Sequence, residues 1–333
     1  MTRGAAVASA DGAIAEAAAV ALEAGGGAVD ALVAGFAMAA ALDGAVLLAP
    51  TVALLAGIGV GGRAFDGRAV QPGRGASRPR GYVDGAAVPD GALVAAPRTV
   101  AMLAVLHAYR GRARLASLVA PAAARAARDG ARARADVLRH FGDAGALLMH
   151  RPGVQRALLA VGGRVAGGAL TAEDLTDARP GEAEATATGI DGATIYTAPW
   201  VAEGELTRAE GIVAADGHGL VAALAYAPSR DGMPIPDLEL SVGRLAKPVQ
   251  RGVPRTAPGT AIPVAAPIAV IARAGGFHAA IAAAGRSALV ADDLTGAALG
   301  LSAEGLSRTA LASLAAIAAL WDGDAARAYS VTP

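Results

Sequence analysis

The sequence predicts a layered α+β fold, and three observations carry that expectation. The chain has 333 residues, of which 54% are hydrophobic and 17% charged, so it can bury a large core and lies outside the disordered class. Its first half reads as Ala-rich segments with the apolar spacing of helices. From Glu184 onward the apolar period shortens towards two, the alternation of strands. Helices first, strands next and a helix last favour segregated layers over a doubly wound parallel sheet. Aromatics are only 3%, so the core must be assembled from Ala, Val, Leu and Ile, which allow close backbone approach. No fixed-period repeat is present.

Taken in order, residues 13–24 (AIAEAAAVALEA) form the first helix, with Glu16 and Glu23 on exposed faces and Gly25-Gly26-Gly27 as its stop. Asp30 begins a second, apolar helix over 30–42. The β-branched, Gly-punctuated stretch 46–60 reads as buried strands. Residues 66–92, rich in Arg, Gly and Pro, read as a loop. Helices follow at 98–109 and 116–128, with Pro121 early enough in the latter to be tolerated, and further helix at 132–161. Leu170-Thr171-Ala172-Glu173-Asp174-Leu175 is a helix start, with Thr171 as N-cap and Asp174 three residues on. Thr186–Ile190 and Thr194–Tyr196 read as strands. Ile212–Leu224 has the form of a hairpin, with Asp216-Gly217 supplying positive backbone angles at the turn. A second hairpin is expected from 264–273 and 277–284, and a last helix over about 303–320.

Composition narrows the function classes. Basic and acidic residues balance at 29 against 29, which argues against a nucleic-acid partner. There is no Cys, which removes disulfides, thiolate metal sites and a Cys nucleophile. The His residues (107, 140, 150, 218, 278) are scattered without a metal-ligand spacing, so no metal and no cofactor are expected. His107, inside an apolar helix, reads as a packing residue. Gly57-Ile58-Gly59-Val60-Gly61-Gly62 superficially resembles a phosphate loop but does not open a helix. Asp11, Glu16 and Glu23 interrupt the apolar N-terminal stretch, so a cytoplasmic location is expected. The uncharged run Gly44–Gly62 approaches the length of a membrane span. Pro50 and its crowded glycines make a buried strand-turn-strand the better reading, with no membrane partner.

A set of motifs is more specific. Gly4-Ala5-Ala6-Val7-Ala8-Ser9, then a helix, then Gly25-Gly26-Gly27-Ala28-Val29-Asp30-Ala31-Leu32-Val33-Ala34 resembles the opening of the γ-glutamyltransferases, whose segment reads GGNAVDAAVA. Ala96-Pro97-Arg98-Thr99-Val100-Ala101-Met102 is similar to that family's xPGTVAG. Gly168-Ala169-Leu170-Thr171-Ala172-Glu173-Asp174-Leu175 resembles GGLLTxEDL, and Tyr196-Thr197-Ala198-Pro199 resembles YSMPPP. The segments keep the family order across nearly the whole chain. The helical stretch that precedes the family's nucleophile is almost entirely missing here.

The resemblance implies a shortened four-layer αββα sandwich, the N-terminal nucleophile hydrolase fold. It implies one domain over 1–333, with a large-subunit-like part at 1–206 and a small-subunit-like part at 207–333. In that family a precursor cleaves itself before a Thr, whose hydroxyl attacks a γ-glutamyl amide while its own α-amine acts as base. Aligned on Asp216-Gly217-His218, Thr207 takes the nucleophile position. The supporting Thr, His and Ser of the family become Arg208, Ala209 and Gly211. Arg208 could lower the amine pKa or bind an anion. Ala246-Lys247-Pro248 matches the family's AKP anchor, yet its paired Asp positions fall on Val242 and Gly243. The serines that bind substrate carboxylate become Pro263-Val264-Ala265-Ala266. The oxyanion Gly-Gly pair becomes Gly285-Arg286, where a bulky residue crowds the donors. Arg68-Ala69-Val70-Gln71-Pro72 keeps the Arg and Pro of the family's carboxylate-binding RExAP, although Arg68 lies in an Arg-rich loop of ordinary solvated appearance.

Two functions remain in view. One is a divergent γ-glutamyltransferase-like protein that has lost the family chemistry and binds a ligand or partner. The other is an N-terminal-threonine amidohydrolase or acyltransferase of altered specificity, self-cleaved before Thr207, with an apolar pocket around Val242, Val264 and Ala265. Arg68, Arg208 and Gly285 are the candidate substrate-binding residues. The expected partners are a small-molecule amide or carboxylate, and a second copy or a paralogue in a homo- or hetero-oligomer.

Overall fold

The computed structural model describes residues 4–57, 59–77, 81–190, 192–200, 209–264, 267–273, 276, 278–283, 316–322 and 325–329. The helical layer starts with α1 (Gly12–Glu23), whose N-cap Asp11 accepts from the backbone N–H of Ala13 at 2.8 Å and Ile14 at 3.2 Å. Next is α2 (Ala28–Leu42), buried on nearly every side, as a helix apolar all round must be. It begins two residues earlier than the sequence suggests. Asp30 sits at the third helical position and reaches back to the Gly27 N–H at 2.7 Å, so it caps the helix it was expected to open. The next four are α3 (Thr99–Arg110), α4 (Leu115–Arg128), α5 (Arg132–Ala144) and α6 (Pro152–Gly162). A 3₁₀ stretch, Gly145–His150, separates the last two, and Gly145 takes a φ of 55° there. α7 (Ala172–Thr176) has the expected cap: Thr171 Oγ1 accepts from the Asp174 N–H at 3.1 Å, and Asp174 accepts from the Thr171 N–H at 3.0 Å.

Two six-stranded antiparallel sheets lie beneath this layer. The first runs β1-β7-β8-β2-β3-β4, formed by Ala6–Ser9, Glu210–Ala215, Leu220–Tyr226, Thr51–Gly57, Val60–Gly67 and Gly181–Glu184. The second runs β14-β13-β12-β11-β6-β5, formed by Ala326–Tyr329, Ala316–Trp321, His278–Ala283, Ile268–Arg273, Ala193–Thr197 and Thr186–Ile190. A small ribbon pairs β9 (Met233–Ile235) with β10 (Leu240–Val242).

Period two divides the first sheet between two cores. Ala53, Leu55, Ile212, Ala214, Ala222 and Leu224 pack against the helices. Their alternates Val52, Leu54, Val213, Ala215, Val221 and Ala223 pack against Val270, Ala280, Ile317, Ala319 and Trp321 of the second sheet. Rows of Ala let the sheets close tightly. Gly62 on β3 shows how tightly: a Cβ there would lie 2.7 Å from Cγ of Tyr196 on β6. On the far face of the second sheet Ile271, Ala279, Ile281 and Ala318 are also buried, as in a sheet covered on both sides.

The expected layers are thus present as α, β and β among the described residues. The uncharged run 44–62 enters the β2–β3 hairpin, and among the described residues no helix is long and apolar enough to cross a membrane. Two elements differ from expectation. The 216–219 turn has its positive φ at Gly219 (82°), because Asp216 Oδ1 accepts from the N–H of His218 and of Leu220 and opens the loop beyond a two-residue turn. The helix expected to about residue 320 is replaced from Ala316 by β13, which pairs on both sides with β12 and β14. The rest of that helix, 303–315, lies outside the described residues.

Candidate active site

The chain enters β7, between β1 and β8, at Glu210. Register places Glu210 opposite Tyr226, Tyr226 opposite Thr51 and Thr51 opposite Gly67. These four residues form one row across the sheet, about 14 Å at the usual strand spacing. Tyr226 Oη donates to Glu210 Oε2 at 3.1 Å, and its ring meets Phe36 of α2 edge-on, with centroids 5.5 Å apart. Ala209, the residue before β7, is buried. The same end of the sheet therefore carries the approach to β7 and, one residue beyond Gly67, Arg68.

Arg68 is not a solvated charge. It is buried, as are Asp66 and Arg98. Asp66 stands opposite Val52 and so faces the inter-sheet core. Arg68 Nε donates to Asp66 Oδ1 at 2.9 Å and Nη2 to Oδ2 at 3.1 Å, the fork-to-fork arrangement that suits guanidinium and carboxylate. Arg68 Nη1 donates to the carbonyl oxygen of Trp200 at 3.0 Å, and the guanidinium lies 5.8 Å from the centroid of the Trp200 ring. Arg98, at the N-terminus of α3, donates from Nη2 to Asp66 Oδ2 at 2.7 Å, from Nε to the Arg68 carbonyl at 2.7 Å and from Nη1 to the Arg179 carbonyl at 3.1 Å. A cation at a helix N-terminus opposes the helix dipole, and the Asp66 carboxylate compensates it. Two guanidinium groups and one carboxylate leave the cluster with one excess positive charge.

Thr207, Arg208 and Gly285 lie outside the described residues, as does the Leu206–Thr207 bond. Trp200, the last described residue before them, is held by Arg68. The AKP anchor and the RExAP-like segment are brought together. The Gln71 side chain donates to the Lys247 carbonyl at 2.9 Å and accepts from the Lys247 N–H at 2.9 Å. Val242 packs into the helix-side core, Val264 is buried, and Ala265 lies outside the described residues. His107 packs as expected for a helix residue: its Nε2 is 2.8 Å from the Ala113 carbonyl and 3.7 Å from Asp30 Oδ1. Among the described residues no three His, Asp or Glu side chains converge in a metal-binding group.

Asp66, Arg98 and Trp200 escaped the sequence reading. Two local signals were available: an Arg at the Gly position of the PGTVAG-like segment, and an Asp two residues before Arg68. Neither reveals that the three residues gather around Arg68, because the contacts join residues 32 and 132 positions apart.

No protein-family model and no curated protein matches the sequence. Solved structures do match the fold. A cephalosporin acylase from Bacillus halodurans superposes with a TM-score of 0.66 over 83% of this chain and 77% of its own, at 15% identity. A γ-glutamyltranspeptidase from Pseudomonas nitroreducens, complexed with L-DON, gives 0.50 over 59% and 71%, at 24% identity. The γ-glutamyltranspeptidase of Helicobacter pylori gives 0.50 over 60% and 70%, at 20% identity. These likenesses show the fold.

Proposed function

On a scaffold that is the N-terminal nucleophile hydrolase fold, we propose that this chain is a divergent γ-glutamyltransferase-like protein that binds a small amide or carboxylate and does not transfer γ-glutamyl groups. The observation that carries this reading is the state of Arg68. Each of its three nitrogens already donates to a protein acceptor, Asp66 or the Trp200 carbonyl. A guanidinium so engaged serves the architecture before it serves a substrate carboxylate. The sequence supports the same view, since Ala209, Gly211, Val242 and Gly243 replace the polar residues that the resemblance places there. The test is hydrolysis of γ-glutamyl-p-nitroanilide by the purified chain, with thermal-shift binding of amides and carboxylates in parallel. Binding without nitroaniline release is expected; release that disappears in Thr207→Ala would overturn the reading.

A second reading is favoured by the likeness to an acylase. Thr207 then serves as nucleophile, Arg208 tunes its amine, Gly285 supplies an oxyanion donor and Arg68 contributes the excess positive charge of its cluster. The substrate is a hydrophobic amide. An acyl-amide screen that yields turnover lost in Thr207→Ala separates it from the first reading.

A further inference from the structure

The chain is neutral overall, yet from Leu240 to Ala291 it contains no Asp or Glu, while Arg244, Lys247, Arg251 and Arg255 fall within that stretch. The loop that carries them is zipped onto the loop after β3. The Gln71 N–H donates to the Thr260 carbonyl, the Gly259 N–H to the Gln71 carbonyl, the Tyr82 N–H to the Val249 carbonyl and the Arg251 N–H to the Tyr82 carbonyl, each at 2.8 Å. Two adjoining hollows, of about 40 and 310 Å³, open along this seam, and both are walled by Lys247, Pro248, Val249 and Arg255. No carboxylate lines either one. Nearby cations that carry a partner are Arg74, whose Nη1 is 3.4 Å from Asp177, and Arg244, whose Nη2 is 3.0 Å from Asp90. Arg255 differs. Its Nη2 presses against Gly73, 2.8 Å from where a Cβ would stand, and its Nε is buried with no hydrogen-bond partner.

A buried guanidinium N–H without an acceptor is costly and rare. We propose that the seam is a binding site for a small, multiply charged oxyanion, a phosphate ester or a polycarboxylate, held between Lys247 and Arg255. Such a ligand supplies the acceptor that Arg255 lacks and the countercharge that the walls lack, with Lys247 as a point charge and Arg255 as a fork. The larger hollow has the size of a small-molecule pocket. Asp66, Arg68 and Arg98 are not among its walls, so the site stands independently of the reading given above.

Isothermal titration of the full chain with inorganic pyrophosphate and with citrate, at low ionic strength, tests the proposal. Saturable binding at one site is expected. Arg255→Met and Lys247→Met should each weaken it about tenfold or more, and Arg128→Met on α4 should leave it unchanged. Tighter pyrophosphate identifies a phosphate ester and tighter citrate a polycarboxylate. Arg255→Met should also melt no lower than the parent chain, because it removes a buried N–H that has no acceptor, and should lose the stabilisation by pyrophosphate. Absence of saturable binding by both anions would overturn the proposal. So would equal weakening by Arg128→Met, or tighter binding of a short single-stranded oligonucleotide through the same two residues.

Discussion

Asp66 and Arg68 are joined by two hydrogen bonds, Nε to Oδ1 at 2.9 Å and Nη2 to Oδ2 at 3.1 Å, at the end of β3. Arg68 follows the last residue of β3 and stands two positions from Asp66, so the pair needs only local geometry. What the fold adds is Arg98 from α3, which donates to Asp66 Oδ2 at 2.7 Å, and the burial of all three. Asp66 is the hinge of the cluster, because each guanidinium depends on it.

That asymmetry makes a prediction. Asp66→Ala strands two buried guanidinium groups, whereas Arg68→Ala leaves Asp66 still paired with Arg98. Breaking a buried pair costs about 3–5 kcal/mol. Urea unfolding should rank Asp66→Ala as the more damaging, with Arg68→Ala at or below the low end of that range. An equal or reversed order would contradict the account.

Asp174 makes a second. Its carboxylate holds the Thr171 cap and also accepts from the N–H of Gly73 at 2.7 Å and of Arg74 at 3.0 Å. Thr171→Ala should cost about 1 kcal/mol, the usual loss of an N-cap. Asp174→Ala should cost about 2–3 kcal/mol more, since buried backbone donors lose their acceptor. Chemical denaturation of both variants checks the difference.

A third concerns pH. Burial pushes the His278 imidazole below its ordinary value of 6.5, opposed by the hydrogen bond to the Gly276 carbonyl. With the folded pKa below the unfolded one, the unfolded chain binds more protons as the pH falls. The contribution of His278 is therefore fully present above about pH 6.5 and is lost as the pH drops from there through the folded value. His278→Phe should flatten the fall in melting temperature between pH 7.5 and 5.5; an unchanged slope would assign that fall to other groups.

Sheet packing gives a fourth. Gly62→Ala drives a methyl group into the Tyr196 ring and should cost about 1–3 kcal/mol, as overpacking does. Tyr196→Ala in the same chain should restore part of that loss, and a double-mutant cycle measures the coupling.

The sequence made the local features legible. Helices α1 to α4 follow from apolar spacing, and the Thr171–Asp174 cap from a four-residue pattern. The β7–β8 hairpin was visible because Val213 and Leu224 sit in runs of strand-like residues. β13 was not, because Ala316–Leu320 has high intrinsic helix propensity, and only pairing with β12 and β14 overrides it. The turn after β7 was legible in place but not in form, since the Asp216 side chain decides the form. Asp30 was placed correctly on α2, but its bonds to the Arg112 N–H, at 3.0 and 3.1 Å, tie residues 82 positions apart. The site cluster was the least legible part, because Asp66, Arg98 and Trp200 acquire their meaning only from contacts made across the fold.

The most direct test of the central claim is the intact mass of the purified chain. The account predicts a single species near 32.4 kDa, an uncut chain that binds without N-terminal-threonine chemistry. Two fragments divided between Leu206 and Thr207 would contradict it and would establish the free Thr207 on which the hydrolase reading depends.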